Sequence, residues 1–213
     1  MTRIVIVGAG GFGRGVFSWI SSSPRHLEQF GIRSIVHVDD DPNARAETEI
    51  VGRIVDYRPQ EDDRVVCAIA LPLVRRQIVS LLSSRSAKFH TFVDDRSTLA
   101  PGVHVGDGSI ICPGTVVSTD ARIGDHVHIN FNCSIGHDTR IDAYSTLSPS
   151  VNLMGEVAVA EGAFFGGSST VLPRIAVGKT AIVGAGSVVN REVLAGATVV
   201  GNPASAIVRR GDR

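Results

Sequence analysis

Residues 123–141 read IGDHVHINFNCSIGHDTRI, and an aliphatic residue opens this stretch and returns at every sixth position. The same spacing runs without a break from Leu99 to Val189, which makes sixteen consecutive aliphatic or phenylalanine positions. Four residues after each of them stands a small or β-branched residue, from Val103 to Val193. A helix repeats every 3.6 residues and a strand every two, so a period of six fits neither as a free-standing element. The pattern predicts a flat-sided solenoid in which each hexad supplies one short strand and one corner.

The corners of such a solenoid need residues that tolerate tight turns, and glycine, aspartate and asparagine serve there. Six glycines directly follow an aliphatic position: Gly106, Gly124, Gly136, Gly166, Gly178 and Gly184. The three cysteines share no spacing typical of a metal site, so we expect them to be buried as small apolar residues: Cys67, Cys112 and Cys133. No metal is expected.

A glycine-rich turn follows the first predicted strand, where residues 3–13 read RIVIVGAGGFG. Its glycines Gly8, Gly10 and Gly13 form a Gly-x-Gly-x-x-Gly pattern, and the segment after them is predicted to be helical to about Ser22. Backbone amides at such a helix start approach phosphate or ribose closely. An alternative is that the glycines only allow the strand and the helix to pack tightly.

Two further predicted strands complete a βαβ arrangement. The second covers 34–38 and ends in three aspartates, and the third covers 65–70 and precedes a predicted helix over 73–83. Asp39 could bind the adenosine ribose of a full NAD-binding domain. However, fewer than a hundred residues precede the repeat, which leaves no room for a complete double Rossmann domain.

Composition excludes several classes of partner. The 213 residues contain 21 Lys and Arg against 21 Asp and Glu, so no basic surface for nucleic acid or an anionic membrane is expected. The apolar run from Ile4 to Val7 is too short for a signal peptide or a membrane span. We therefore expect a cytoplasmic protein without a membrane span.

Four motifs in one order resemble those of the bacterial hexapeptide-repeat sugar acyltransferases of the NeuD and PglD type. They are GAGGFG at 8–13, VDDD at 38–41, His137-Asp138 within the repeat, and VGNPA at 200–204. The resemblance implies an α/β, Rossmann-like N-terminal domain over residues 1–92 and a left-handed parallel β-helix over 93–213. It further implies a homotrimer that binds a nucleotide sugar on the first domain and acetyl-CoA along the solenoid between subunits.

The activity that this resemblance implies is N-acetylation of a UDP- or GDP-linked 4-amino-4,6-dideoxy sugar, a step in making cell-surface polysaccharide. Acetyl transfer needs a base for the acceptor proton, and imidazole titrates closest to neutral pH. The matching base is His137, and Asp138 fixes its tautomer and increases its basicity. For the six other histidines we expect an ordinary solvated position: His26, His37, His90, His104, His126 and His128.

Position by position, the resemblance also implies the binding residues. Acetyl-CoA is expected at Thr146, Gly167 and Ala185, and the nucleotide sugar at Gly10, Gly11, Phe12, Asp39 and Asp40. This chain departs from the family pattern at two positions that concern the nucleotide site. Family members often carry histidine where this chain has Phe12. They also often carry Gly-Asn or Gly-Asp where this chain reads Ala70-Leu71-Pro72.

Other functions fit the same hexads. A sugar O-acetyltransferase of the sialic acid type needs the same base and coenzyme, and the repeat does not separate an amine from a hydroxyl acceptor, nor UDP from GDP. A non-catalytic binding scaffold is a further alternative, against which His137-Asp138 speaks. A zinc carbonic anhydrase needs three converging histidines, and His126, His128 and His137 do not reproduce that motif.

Overall fold

The computed structural model describes residues 2–207, so the last six residues of the second predicted domain lie outside it. Its N-terminal part is a three-stranded parallel sheet with strand order β2-β1-β3. The elements are β1 Thr2–Val7, α1 Gly11–Ser21, α2 Pro24–Gln29, β2 Ile32–Val38, β3 Asp63–Cys67 and α3 Pro72–Ser83. Helix α2 was not predicted, because six residues are too few to show a helical period.

Strand β1 lies at the centre of this sheet because it carries a continuous apolar run. Residues Ile4 to Val7 have no exposed surface. Such a run is typical of a parallel strand that is covered on both faces. Its carboxyl end therefore opens onto the glycine turn between the ends of β2 and β3.

The remaining described strands are short and evenly spaced. They are β4 Phe92–Val93, β5 Thr98–Leu99, β6 His104–Val105, β7 Ile110–Ile111, β8 Val116–Val117, β9 Arg122–Ile123, β10 His128–Ile129, β11 Ser134–Ile135, β12 Arg140–Ile141, β13 Thr146–Leu147, β14 Asn152–Leu153, β15 Ala158–Val159, β16 Phe164–Phe165, β17 Thr170–Val171, β18 Ala176–Val177, β19 Ile182–Val183, β20 Val188–Val189, β21 Thr198–Val200 and β22 Ser205–Ala206. The predicted boundary between residues 92 and 93 falls inside β4.

These strands form three parallel sheets, which are the faces of a prism. Sheet I contains β4, β7, β10, β13, β16, β19 and β21, with β22 added antiparallel at its end. Sheet II contains β5, β8, β11, β14, β17 and β20, and sheet III contains β6, β9, β12, β15 and β18. Partners stand 18 residues apart, as for His128 with Ile110 and with Thr146. Three hexads thus make one coil.

Both predicted inward registers form the core. Every aliphatic-register residue from Ile111 to Val189 is buried, and so are the three cysteines. Four hydroxyls in the second register donate to a backbone carbonyl fifteen residues further on, for example Thr139 Oγ1 to Met154 O at 3.1 Å. This bond satisfies a buried polar group inside an apolar core.

The corners repeat a left-handed backbone conformation. Every sixth residue from Gly102 to Gly186 has a φ between 54° and 77°. Besides glycine, Asp and Asn, this position is occupied by Tyr144, Glu156 and Arg174 among others. A non-glycine residue there costs about 1 kcal/mol or more. Hydrogen bonds between coils offset it, as when Glu156 N donates to His137 O at 2.8 Å.

Five histidines are buried, so the expectation of a solvated position was wrong for them: His26, His37, His90, His126 and His128. His104 alone of the six is exposed. The N-terminal domain lies on sheet I and covers the outward slots of His126 and His128, which contact Phe89 and Phe12. His26 and His90 share a hydrogen bond between their Nε2 atoms at 2.7 Å.

We predict that stability falls as pH falls from about 6.5 towards 4. Burial lowers the pKa of all five buried histidines, that of His90 from 6.5 to about 4. The unfolded chain therefore binds more protons in this window, and each extra proton lowers the free energy of unfolding by about 1.4 kcal/mol per pH unit. Urea unfolding at several pH values measures the slope of the free energy of unfolding against pH. His90→Gln should reduce this slope, and a free energy of unfolding that stays constant between pH 7 and 5 would contradict the prediction.

Candidate functional site

The predicted catalytic pair lies at the corner between sheets II and III. His137 Nδ1 is 2.8 Å from Asp138 Oδ2, and the side chains are 56% and 60% exposed. Because an ionised carboxylate only accepts, the Nδ1–H group of a neutral His137 donates to Asp138. Nε2 then carries the free lone pair and is able to accept a proton.

Gly155 forms the surface on which the imidazole of His137 lies. It stands one coil further along, and a Cβ atom added to it would come within 2.5 Å of His137 Nε2. A side chain here would therefore displace the ring. Sequence reasoning missed Gly155, although its position 18 residues after His137 follows from three hexads per coil.

Two predicted coenzyme residues lie together at another corner, between sheets I and II. Gly167 and Ala185 are 18 residues apart, and Gly186 N donates to Gly167 O at 2.9 Å. Ala185 is exposed, and a Cβ atom on Gly167 would lie 3.3 Å from the carbonyl oxygen of Pro149. In a single chain, the corner of Gly167 and Ala185 is therefore separate from the corner of His137, which lies between sheets II and III. A ligand contacting both must lie between two solenoids or pass around a face.

Thr146, the third predicted coenzyme residue, lies elsewhere. It is a buried residue of β13 on sheet I, beneath the N-terminal domain. Its Oγ1 donates to Ala70 O at 2.8 Å and accepts from Arg75 at 3.0 Å. The structure therefore does not bring its side chain together with Gly167 and Ala185.

The glycines of the N-terminal turn divide into two kinds. Gly8 has a φ of 100°, and a Cβ atom on Gly13 would overlap the carbonyl oxygen of Gly8. Both are needed for tight packing of β1 against α1. A Cβ atom on Gly10 or Gly11 would meet nothing within 4 Å. These two glycines leave open space at the start of α1, where free amides favour an anion.

A cleft of about 330 Å³ opens beside this helix start. Its lining includes Gly10, Arg14, Asp39, Asp41, Asn43 and Arg45. Two guanidinium groups and free helix amides suit a phosphate, and the carboxylates and the amide suit ribose or base groups. Sequence reasoning missed Arg14, Asn43 and Arg45, since no spacing marks which loop residues turn towards the cleft.

The other predicted substrate residues differ in position. Asp39 lies in the cleft and accepts from Ala9 N at 2.6 Å, which joins the ends of β1 and β2. Asp40 instead accepts from Val55 N at 3.2 Å and holds the loop after β2. Phe12 packs its ring against His128, 5.1 Å between centroids, at the domain interface. The structure thus brings Gly10 and Asp39 together and places Phe12 and Asp40 outside the cleft lining.

Among residues 2–207, no group of three or more His, Cys, Asp or Glu residues is arranged to hold a metal ion. Within the same range, none of the helices has the length and apolar character to cross a membrane.

A family model and a curated protein match parts of this chain. The family model of the PglD N-terminal domain matches residues 3–82. GDP-perosamine N-acetyltransferase of Escherichia coli O157:H7 is 31% identical over 104 residues, which are 49% of this chain and 47% of that protein. The chain therefore matches about half the length of this curated relative.

Solved structures match almost the whole chain. WeeI from Acinetobacter baumannii AYE is 29% identical with a TM-score of 0.87, over 97% of this chain and 100% of that one. PerB from Caulobacter crescentus, solved with CoA and GDP-perosamine, is 29% identical with a TM-score of 0.86, over 98% of each chain. The acetyltransferase domain of PglB from Neisseria gonorrhoeae FA1090, at 24% identity and a TM-score of 0.89 over 97% and 100%, matches in fold. These matches confirm the predicted fold class.

We predict unequal effects of alanine at two glycines of the turn. Gly13→Ala should lower the free energy of unfolding by about 1–3 kcal/mol, because its Cβ has no space. Gly10→Ala should cost about 1 kcal/mol at most, the usual effect at a helix N-cap. Urea titrations of both variants measure the difference. Equal losses of unfolding free energy in the two variants would contradict the difference in space around Gly10 and Gly13.

Proposed function

We propose that this chain, which belongs to the hexapeptide-repeat sugar acyltransferases with a PglD-type N-terminal domain, is an acetyl-CoA-dependent N-acetyltransferase of a nucleotide-linked amino sugar. The observation that carries the proposal is the exposed His137–Asp138 pair, 2.8 Å apart, at a corner of the solenoid. A surface histidine held by a carboxylate, with its second nitrogen open, suits general-base catalysis.

The reaction uses His137 and Asp138 in two roles. The acceptor amine attacks the thioester carbonyl while His137 Nε2 takes its proton, so a C–N bond forms. As the C–S bond breaks, the imidazolium returns the proton to the departing thiolate, and the products are an amide and free CoA. Asp138 holds the tautomer and stabilises the imidazolium between these steps.

The two ligands use different domains in this proposal. The cleft with Gly10 and Asp39 takes the nucleotide of the acceptor, supported by its guanidinium groups and open helix start. Acetyl-CoA lies along the corner of Gly167 and Ala185. Because this corner is separate from His137 in one chain, we propose a homotrimer in which a neighbouring solenoid completes each site.

The first acceptor to test is GDP-perosamine, because PerB from Caulobacter crescentus holds it together with CoA. A further structure of the perosamine N-acetyltransferase from that organism carries asparagine in place of a histidine and still holds both ligands. We place the reaction in the cytoplasm, on a precursor of cell-surface polysaccharide.

An acceptor panel tests the proposal directly. Purified protein with acetyl-CoA is given GDP-perosamine, a UDP-linked 4-amino sugar or free sialic acid, and the products are read by mass spectrometry. We expect one acetyl group on the amine of a nucleotide-linked sugar. Acetylation of sialic acid alone would instead establish the O-acetyltransferase, and no transfer to any acceptor would contradict the proposal.

We predict that His137→Ala lowers kcat about 100-fold or more while the fold remains, as is typical of a lost general base. Asp138→Asn should cost less. Gly155→Ala should lower kcat as well, because the new methyl group displaces the imidazole, and it should leave the Kd of acetyl-CoA unchanged. The exposed His104 provides the matched control, and His104→Ala should retain full turnover. Near-normal kcat in His137→Ala would remove this residue from the mechanism.

We predict that active sites are shared between subunits. Mixed trimers of His137→Ala chains and Gly167→Trp chains should regain partial activity. At some of their interfaces, the intact His137 of one chain meets the intact Gly167 corner of the other. Light scattering checks the assembly. A fully active monomer at micromolar concentration would contradict the homotrimer.

A further inference from the structure

Arg75 on α3 is the largest polar side chain that the described fold buries completely. Its relative exposure is 0%, and it passes from the N-terminal domain into sheet I. None of its hydrogen-bond partners among residues 2–207 is a carboxylate. Its guanidinium group bonds to the carbonyl oxygens of Ile69, Ala70, His126, Tyr144 and Ser145, to His128 Nδ1 and to Thr146 Oγ1.

These bonds join three separate segments. One is the loop after β3, where Arg75 Nη1 lies 2.7 Å from Ile69 O. The second is His126 on one coil. The third is Tyr144 on the next coil, whose carbonyl oxygen is 2.6 Å from Arg75 Nη2. Thr146 Oγ1 closes the arrangement by donating to Ala70 O at 2.8 Å. We call Arg75 and Thr146, with the groups they bind, the clamp.

The clamp connects to the acceptor cleft through the loop after β3. A Cβ atom on Gly8 would lie 2.8 Å from Ile69 Cδ1 and 3.3 Å from Ala68 O, so this loop lies directly against the glycine turn. The turn, the loop and Arg75 therefore form a continuous packed path from the cleft to two coils of the solenoid. A shift of the loop would move the cleft with it.

A buried cation of this kind is a costly way to obtain stability alone, since apolar residues of similar size often serve as well or better. What it adds is a fixed geometry, because five N–H donors in one plane hold their acceptors in set directions. The neighbouring Arg76 differs. Its ion pair with Glu161 also joins α3 to the solenoid, but it is half exposed, and exposed pairs contribute little.

We propose that Arg75 is a positioning residue: through the clamp it fixes the acceptor cleft over the solenoid, so that the nucleotide-linked amine meets the thioester. This rests on the proposed function. Misplacement of a bound reactant by about 1 Å costs up to about 100-fold in rate. The residue contacts neither ligand, and Thr146 belongs to the clamp rather than to the coenzyme site.

The kinetic test compares Arg75→Met, Arg75→Lys and Thr146→Val with Arg76→Met as the matched control. Each variant receives the nucleotide-linked amino sugar and the same sugar without its nucleotide. With the linked acceptor we expect kcat to fall about tenfold or more in the clamp variants, with the Kd of acetyl-CoA unchanged. With the free sugar, which the N-terminal domain does not hold, the rate should stay at the wild-type level. Thr146→Ser should restore activity.

A distance measurement tests the same point without activity. Spin labels at Arg33→Cys on the N-terminal domain and Arg122→Cys on the solenoid report the orientation of the two parts, in labelled chains diluted with unlabelled ones. Both sites are exposed, and the native cysteines are buried. In wild type and in Arg76→Met we expect one narrow distribution of distances between the labels. In Arg75→Met we expect a broadened distribution. If Arg75→Met does not fold, Thr146→Val takes its place. A distance distribution as narrow as that of wild type would overturn the proposal. So would an equal fall of kcat in the clamp variants with the linked acceptor and with the free sugar. A wild type that acetylates no acceptor would contradict the proposed function, and the distances would still decide the role of Arg75.

Discussion

Hydrogen bonding between successive coils is the constraint on which the solenoid depends. From Gly114 to Gly186, each corner residue donates its backbone N–H to a carbonyl oxygen of the coil before it, as Asp138 does to Thr119 O at 3.1 Å. This ladder holds a left-handed conformation at every sixth residue, including side chains that disfavour it. It also sets which residues share a column, so His137 lies over Gly155 and Gly167 lies against Ala185 only because three hexads close one coil.

The contacts of Arg75 hold the N-terminal domain on the solenoid. The N-terminal sheet ends in an open cleft at Gly10 and Asp39, and its helix α3 inserts Arg75 into sheet I. The cleft is thereby held against the solenoid that carries His137, Gly167 and Ala185. In the proposed reaction the chemistry needs only a base and a thioester, and most of the chain serves to place them relative to the acceptor.

The hexad registers were enough to predict the solenoid, because a strict period of six leaves a chain few other ways to bury its apolar residues. The glycine turn likewise predicted β1 and α1. Burial by another domain could not be predicted, since local spacing does not show what covers an outward position. For this reason His126 and His128 were expected in solvent. The predicted ligand residues Thr146 and Phe12 were likewise not expected at the domain interface, where the structure places them. Gly155 could have been found by adding one coil to His137.

We propose that the acceptor binds the N-terminal domain while acetyl-CoA binds the solenoid. Isothermal titration of a Gly10→Trp variant measures this most directly, once with acetyl-CoA and once with the nucleotide sugar that serves as acceptor. An indole at Gly10 fills the open space at the start of α1 and leaves the corners of Gly167 and Ala185 intact. We expect the Kd of the variant for the nucleotide sugar to rise at least about tenfold and its Kd for acetyl-CoA to stay unchanged. Loss of acetyl-CoA affinity with normal sugar binding would show that the glycine turn is a coenzyme site, and would contradict this division between the domains.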